Sequence, residues 1–225
     1  LSIGLLLSVY IPGLGVIRNG ARSWIDLGPI DLQTSELAKL GIIIFYAKFL
    51  SHEERRLDHI KDLIVPVILL MPFMGLILAQ PDLGNALVFV IIFIGMLFVA
   101  GLNLKILGFG GLLGGLSIPL IYDYLEPHQK LRIDAFLNPN DPSLPGNYQV
   151  FQSKITIGSG QLNGRGIFEG IYHQYNYLPV RESDFIYAVV GEETGFIGTS
   201  LVLGLYLFFL VELINTAKKA KDDFG

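Results

Sequence analysis

The chain has no cysteine, which excludes disulfides, thiolate nucleophiles and thiolate metal sites. Charge is also scarce: 16% of its 225 residues are Asp, Glu, Lys or Arg, against about a quarter in an ordinary soluble domain. Such a chain lacks the polar surface to cover a globule of its size in water, which argues against a soluble enzyme. The formal net charge is -4, from 16 basic and 20 acidic residues, so no basic field marks nucleic acid as a partner. His52, His59, His128 and His173 show neither an HExxH pattern nor paired ligand spacing, so nothing supports a zinc site. Internal repeats and low-complexity tracts are absent as well.

What the chain does have is apolar sequence, 52% of its residues, gathered in long runs. A helix crossing a bilayer needs about 20 mainly apolar residues, because its backbone must satisfy its own hydrogen bonds where no water is present. The runs predict spans at about 1–17, 37–50, 63–80, 83–100, 104–124 and 186–216, and Ala86 to Ala100 contains no charge at all. The expected fold is therefore an all-α polytopic integral membrane protein, with residues 1–225 forming one membrane domain. The first run has no preceding Met, basic n-region or small-residue cleavage site. It reads as neither a signal peptide nor a natural start, and the chain is expected to be a fragment of a longer protein.

Lys and Arg concentrate in the loop 51–62 and in Lys218-Lys219-Ala220-Lys221, which the positive-inside rule assigns to the cytoplasm. Counting crossings from either places residues 18–35, the turn at Gln80-Pro81-Asp82 and the long segment 125–185 on the outer side. A loop of that length is usually functional or disordered. This one carries Ile133, Phe136, Leu137, Tyr148, Val150, Phe151, Ile155, Ile167, Phe168, Tyr172, Tyr175 and Tyr177, interrupted by the turn signals Asn138-Pro139 and Asp141-Pro142. Short helices lying on the membrane surface are expected there.

Several polar residues stand out against this background. Glu36 and Lys39, three apart at the start of a span, share a helical face. They read as an interfacial pair with a snorkelling lysine stem, or as an inward-turned pair setting the charge of another acid. Thr34 or Ser35 is a candidate cap for that helix. Asp82, between Pro81 and Leu83, reads as a turn residue or helix N-cap, or as an acid that binds a cation or a sugar hydroxyl. Trp24, the only tryptophan, reads as an interfacial anchor or a sugar-stacking surface.

Asp184 is the sharpest candidate. It follows Glu182-Ser183 and precedes Phe185-Ile186-Tyr187-Ala188-Val189-Val190, where a polar loop enters the bilayer, and Glu192-Glu193 come further along the same helix. Desolvation there favours its protonated form and a neighbouring lysine opposes that shift. A helix cap is the bland reading, but acids embedded in membranes are functional by default. Gly158-Ser159-Gly160 and Gly164-Arg165-Gly166 form either a plain loop or a weak phosphate cradle, for which a lipid-linked pyrophosphate is a better anion than ATP.

Six of these stretches together resemble one family. Asn19-Gly20-Ala21-Arg22-Ser23-Trp24-Ile25, Ser35-Glu36-Leu37-Ala38-Lys39, Gln80-Pro81-Asp82-Leu83-Gly84, Tyr148-Gln149 with Gln152-Ser153, Gly158-Ser159-Gly160, and Ser183-Asp184-Phe185-Ile186 through Gly191-Glu192-Glu193 resemble the SEDS proteins of shape, elongation, division and sporulation: RodA, FtsW and SpoVE. They run in the family's order from about residue 18 to the Phe224-Gly225 end. Thr34 departs from the usual proline before Ser-Glu, and Val180 and Glu182 replace a common Glu and His. The long outer segment and Gly158-Ser159-Gly160-Gln161-Leu162 look more like the rod-elongation branch.

The resemblance implies a protein of about ten helices in the bacterial cytoplasmic membrane that polymerises lipid II into peptidoglycan strands at the outer face. It implies that Asp184 is the essential acid, Glu36 and Lys39 the polar pair near it, Asp82 the outer acid of the Gln-Pro-Asp motif and Trp24 a loop tryptophan needed for activity. Arg132 and Arg165 are candidate pyrophosphate contacts. Asp184 is expected to act as a general base or as ligand of a divalent cation, Mg2+ or Mn2+, for which the sequence offers no complete ligand set. A class B penicillin-binding protein is the expected transpeptidase partner, because the chain has no Ser-x-x-Lys nucleophile. The competing reading is a flippase carrying lipid II across the bilayer.

Overall fold

The computed structural model describes residues 1–18, 21–26, 28, 31–51, 57–123, 125, 127–141, 143–171, 184–222 and 224–225. Asn19, Gly20, residues 52–56, and residues 172–183, which include Tyr172, His173, Tyr175, Tyr177, Val180 and Glu182, lie outside them. The chain divides into two compact units, Leu1–Gly115 with Ala220–Gly225, and Leu116–Lys219.

The first unit opens with α1 (Ser2–Ser8) and then departs from the expected span over 1–17. Pro12 has no amide hydrogen to continue a helix, Gly13 takes a left-handed φ of +88°, and Gly15 backs onto the Val9 carbonyl so closely that a side chain there would strike it. The chain therefore turns into β1 (Gly15–Arg18), followed by β2 (Ala21–Asp26) and β3 (Asp31–Gln33) in an antiparallel sheet ordered β1-β2-β3. This sheet corrects the all-α expectation. Short β-branched and polar alternation gave no long apolar run to announce it, but it buries Ser23 and Ile25 on one face of β2.

The sheet leads into α2 (Thr34–Leu50), which is followed by a 3-10 turn at Ile60–Leu63, α3 (Ile64–Ala79), α4 (Leu83–Val99) and α5 (Leu104–Tyr122). These agree with the sequence-derived runs to within a few residues. Their core is a stripe on each helix: Ala38, Ile42 and Tyr46 from α2, Leu70, Phe73 and Ile77 from α3, and Ala86, Phe89, Phe93 and Leu97 from α4, with Leu6 from α1. The Tyr46 hydroxyl, inside that core, donates to the Pro66 carbonyl at 2.6 Å, so its one polar atom is satisfied where no water competes. The opposite faces are equally apolar yet exposed, including Ile44, Ile68, Leu87 and Ile91.

The second unit contains α6 (Pro127–Leu137), α7 (Pro145–Ser159) and α8 (Ile186–Lys218), the first two being the short helices expected within 125–185. Their connection falls on the foreseen turn signals. There Asn147 Nδ2 donates to the carbonyls of Asn138 and Asp141 at 2.6 and 2.9 Å, and Asp141 Oδ1 accepts from the Ser143 hydroxyl and amide at 2.6 and 2.9 Å. Those two bonds, the hydroxyl's foremost, hold the Asp141 carboxyl below its usual range. Along α8 the buried residues Ala188, Gly191, Glu192, Gly195 and Thr199 form one face, while Leu201 to Ile214 is exposed and, Glu212 apart, without charge. The stretches Ile60–Ala79 and Ile186–Lys218 are long and apolar enough to cross a membrane.

Candidate functional site

In the first unit the structure brings together the expected pair of Glu36 and Lys39. Lys39 Nζ donates to Glu36 Oε1 at 2.7 Å, one turn apart on α2, with the lysine side chain 17% exposed and the glutamate 56%. Neither Thr34 nor Ser35 caps this helix. Because β3 runs directly into α2, Gln33 is the capping position, and the buried Thr34 hydroxyl instead donates to the Ser23 carbonyl of β2 at 3.3 Å.

Asp82 is the N-cap of α4, as one of its readings had it. Its Oδ1 accepts from the Asn85 amide at 3.1 Å, and its Oδ2 accepts from Asn85 Nδ2 at 2.8 Å and Gln33 Nε2 at 3.4 Å. Gln33 in turn stands opposite Trp24 in the β2–β3 pairing, so both project from one face of the sheet. Trp24 is half-buried there, and its strand partner Gln33 reaches Asp82. Gln33 and Asn85 were not singled out in the sequence; only the Asp-x-x-Asn spacing of a capped helix start signalled the second.

Gln80 is a further residue that the sequence left as part of a turn. It is fully buried, donates from Nε2 to the Leu6 carbonyl at 2.8 Å, and accepts the Arg22 amide on its own carbonyl at 3.3 Å. It thus ties α1 and β2 to the turn that presents Asp82.

The second unit holds Asp184, Arg132 and Arg165. Asp184 is exposed and lies one residue before Phe185, the N-cap of α8. Arg132 is exposed on α6, and Arg165 lies exposed in the glycine loop, its Nε donating to the Ser159 carbonyl at 3.3 Å.

In that loop the Gly164 amide bonds to the Gly160 carbonyl, and the amides of Arg165 and Gly166 are committed to α8 rather than open to a phosphate. The α8 helix breaks at Gly195 with φ 65° and ψ -162°. An unbroken helix would bond the Phe196 amide to the Glu192 carbonyl and the Ile197 amide to the Glu193 carbonyl. Instead the Glu192 and Glu193 carbonyls accept from the amides of Arg165 and Gly166 at 2.9 and 3.1 Å, and the Phe196 and Ile197 amides donate to the carbonyls of Gln161 and Leu162 at 2.8 and 3.2 Å. Gly160 and Gly164 are glycine because the loop runs against the main chain of Gly191 and Glu193. Glu192 is fully buried beside Gly170, and Glu193 Oε1 accepts the Phe168 amide at 3.1 Å.

Among the described residues no group of three or more His, Asp or Glu could hold a metal ion.

Comparison with known proteins gives a consistent result. The family profile of FtsW, RodA and SpoVE, described as "Cell cycle protein", matches residues 1–225. Peptidoglycan glycosyltransferase MrdB of Escherichia coli strain K12 is 34% identical over 224 residues, covering 99% of this chain and 60% of that protein. Stage V sporulation protein E of Bacillus subtilis strain 168 is 40% identical over 222 residues, 98% of this chain and 60% of that protein. Among solved structures, a chain from work on the coordination of polymerization and crosslinking by a peptidoglycan synthase complex has a TM-score of 0.76 and 33% identity, covering 99% of this chain and 61% of that one. The crystal structure of Thermus thermophilus rod shape determining protein RodA has a TM-score of 0.61 and 30% identity, covering 99% and 56%. The chain thus spans about 60% of the length of these curated relatives.

Proposed function

We propose that this chain, which belongs to the FtsW, RodA and SpoVE family of cell cycle proteins, is part of a peptidoglycan glycosyltransferase that polymerises lipid II at the outer face of the bacterial cytoplasmic membrane. The observation that carries the reading is the match of nearly the whole chain to a relative named for that activity. In this reading α2, the stretch from Ile60 through α3, α4, α5 and α8 cross the bilayer. The loop 51–62 and the C-terminal end are cytoplasmic, and 125–185 is outside. The apolar exposed faces of these helices support it, since lipid is the solvent that tolerates them.

The chemistry is an inverting glycosyl transfer. A sugar 4-hydroxyl on one lipid-linked disaccharide attacks the anomeric carbon of another chain, the new glycosidic bond forms, and undecaprenyl pyrophosphate leaves with the bonding electrons. The hydroxyl proton needs an acceptor, and Asp184 serves as that base or would hold a divalent cation, which would supply Lewis acidity there. Mg2+ or Mn2+ would neutralise charge on the leaving pyrophosphate, with Asp184 as one of its ligands. Lys39, held by Glu36, tunes the charge of the reacting acid. Arg132 and Arg165 offer positive charge to the leaving pyrophosphate, and Trp24 with Asp82 a surface for sugar.

A class B penicillin-binding protein is the partner that would crosslink the product. The solved peptidoglycan synthase complex, described as coordinating polymerization with crosslinking, supports this pairing.

The test is gel-resolved polymerisation of purified lipid II by the full-length protein with its transpeptidase partner, wild type beside Asp184→Ala. Glycan ladders from the wild type alone are expected. Ladders from both would remove Asp184 from the chemistry. No ladder from either, with partner and cation supplied, together with flipping of labelled lipid II in liposomes, would replace the enzyme by the flippase.

A further inference from the structure

The break in α8 separates a short helical half, Ile186 to Thr194, from the long apolar half that follows Gly195. The short half begins beside Asp184, so whatever holds it also sets where that carboxylate stands. What holds it at its far end is the loop 161–168. Four main-chain bonds join loop and break, replacing the two helical bonds that the break removes. Such replacement is needed because an unpaired buried backbone group is costly.

One side chain adds to this main-chain exchange. Glu193 accepts the Gly166 amide on its carbonyl and the Phe168 amide on its carboxylate, both at 3.1 Å. Phe168 carries a φ of +65°, a left-handed conformation that an aromatic residue keeps only where its surroundings impose it. The charged acceptor of Glu193 is aimed at that residue's amide, and a hydrogen bond to a charged group is among the stronger ones.

We propose that Glu193 is a positioning residue: with its main chain and carboxylate it locks the 164–168 loop into the break of α8, and so fixes the helical half that presents Asp184. The role rests on the reading of Asp184 as the reacting acid. It is distinct from catalysis, since Glu193 acts through the loop.

The test compares Glu193→Ala and Glu193→Gln in the full-length protein with its partner. Glu193→Ala keeps every main-chain bond and loses only the carboxylate, so the protein is expected to fold. Gln retains an acceptor oxygen at the same reach. The Ala variant is expected to lower kcat about tenfold at unchanged KM for lipid II, with Gln restoring most of it. Hydrogen exchange measured in parallel is expected to quicken in peptides covering 161–170 and 184–191 in the Ala variant, and to return towards wild type with Gln.

Unchanged exchange in 161–170 would overturn the lock. Faster exchange confined to 161–170, or an unchanged kcat despite faster exchange, would reduce Glu193 to a local tie and overturn the positioning role. A wild type that makes no glycan would sink the polymerase reading, and the exchange in 184–191 would still decide whether Glu193 holds that helical half.

Discussion

Gly164 backs onto the main-chain carbonyl of Glu193 with a left-handed φ of +80°, leaving no room for a Cβ between loop and helix. The contact explains why a glycine-rich stretch sits in this protein. Its glycines admit a second backbone into a broken helix rather than an anion into a cradle.

Gly164→Ala should therefore destabilise the protein by roughly 2–4 kcal/mol, from a strained φ and an overlap with backbone that cannot yield. Gly158 is the control: it lies in α7, and a Cβ added there would meet nothing within 4 Å. Gly158→Ala should raise stability by about 0.5–1 kcal/mol through helix propensity. Thermal unfolding in detergent checks both, and equal Tm values would contradict the packing described.

Asp82→Ala should cost about 1–2 kcal/mol, because it removes the cap of α4 and strips Gln33 and Asn85 of their shared acceptor. Asp82→Asn, which keeps one capping oxygen, should recover most of that loss. If polymerisation falls in the Asn variant while Tm stays near wild type, the carboxylate serves substrate as well as the cap.

The Glu36–Lys39 pair is partly exposed and one turn apart, a geometry worth at most about 0.5 kcal/mol to stability. Glu36→Gln and Lys39→Gln should leave Tm unchanged. A large fall in glycan synthesis by the same variants, measured in the lipid II assay, is expected from the role proposed for them in tuning the reacting acid. Activity equal to wild type would return the pair to the interface.

Asp141 predicts a local pH dependence. Its carboxyl is held below the usual range by the Ser143 hydroxyl and amide, so the unfolded chain takes up the proton first as pH falls. The stabilising contribution is complete above the ordinary carboxylate value of about 3.9 and is lost as pH drops through the lower folded value. Protection across the turn between α6 and α7, measured as hydrogen exchange relative to the intrinsic rate at each pH, should fall only in that acid window, and Asp141→Asn should abolish this pH dependence. A loss of protection near neutral pH would contradict the assignment.

The sequence by itself determined the composition-driven features. Runs of apolar residues without charge made helices at α2 to α5 and α8, because each residue's solvent preference is independent of its distant neighbours. Asp82 before Leu83-Gly84-Asn85 announced a cap, and Glu36 with Lys39 announced a pair, because both depend on residues within one helical turn. The ordered motifs identified the family for the same reason, being local strings.

Tertiary structure decided what depends on segments far apart in the chain. The run 1–17 was apolar enough for a helix, yet the turn through Pro12, Gly13 and Gly15 and the pairing of β1 with β2 made it a helix and a strand. Gln33 acquires its role only when β3 lies beside Trp24 and the start of α4 lies beside both. The break at Gly195 and the loop that fills it are matched across the chain. Neither half shows in sequence why its glycines are needed, because each supplies the hydrogen-bond partners that the other lacks.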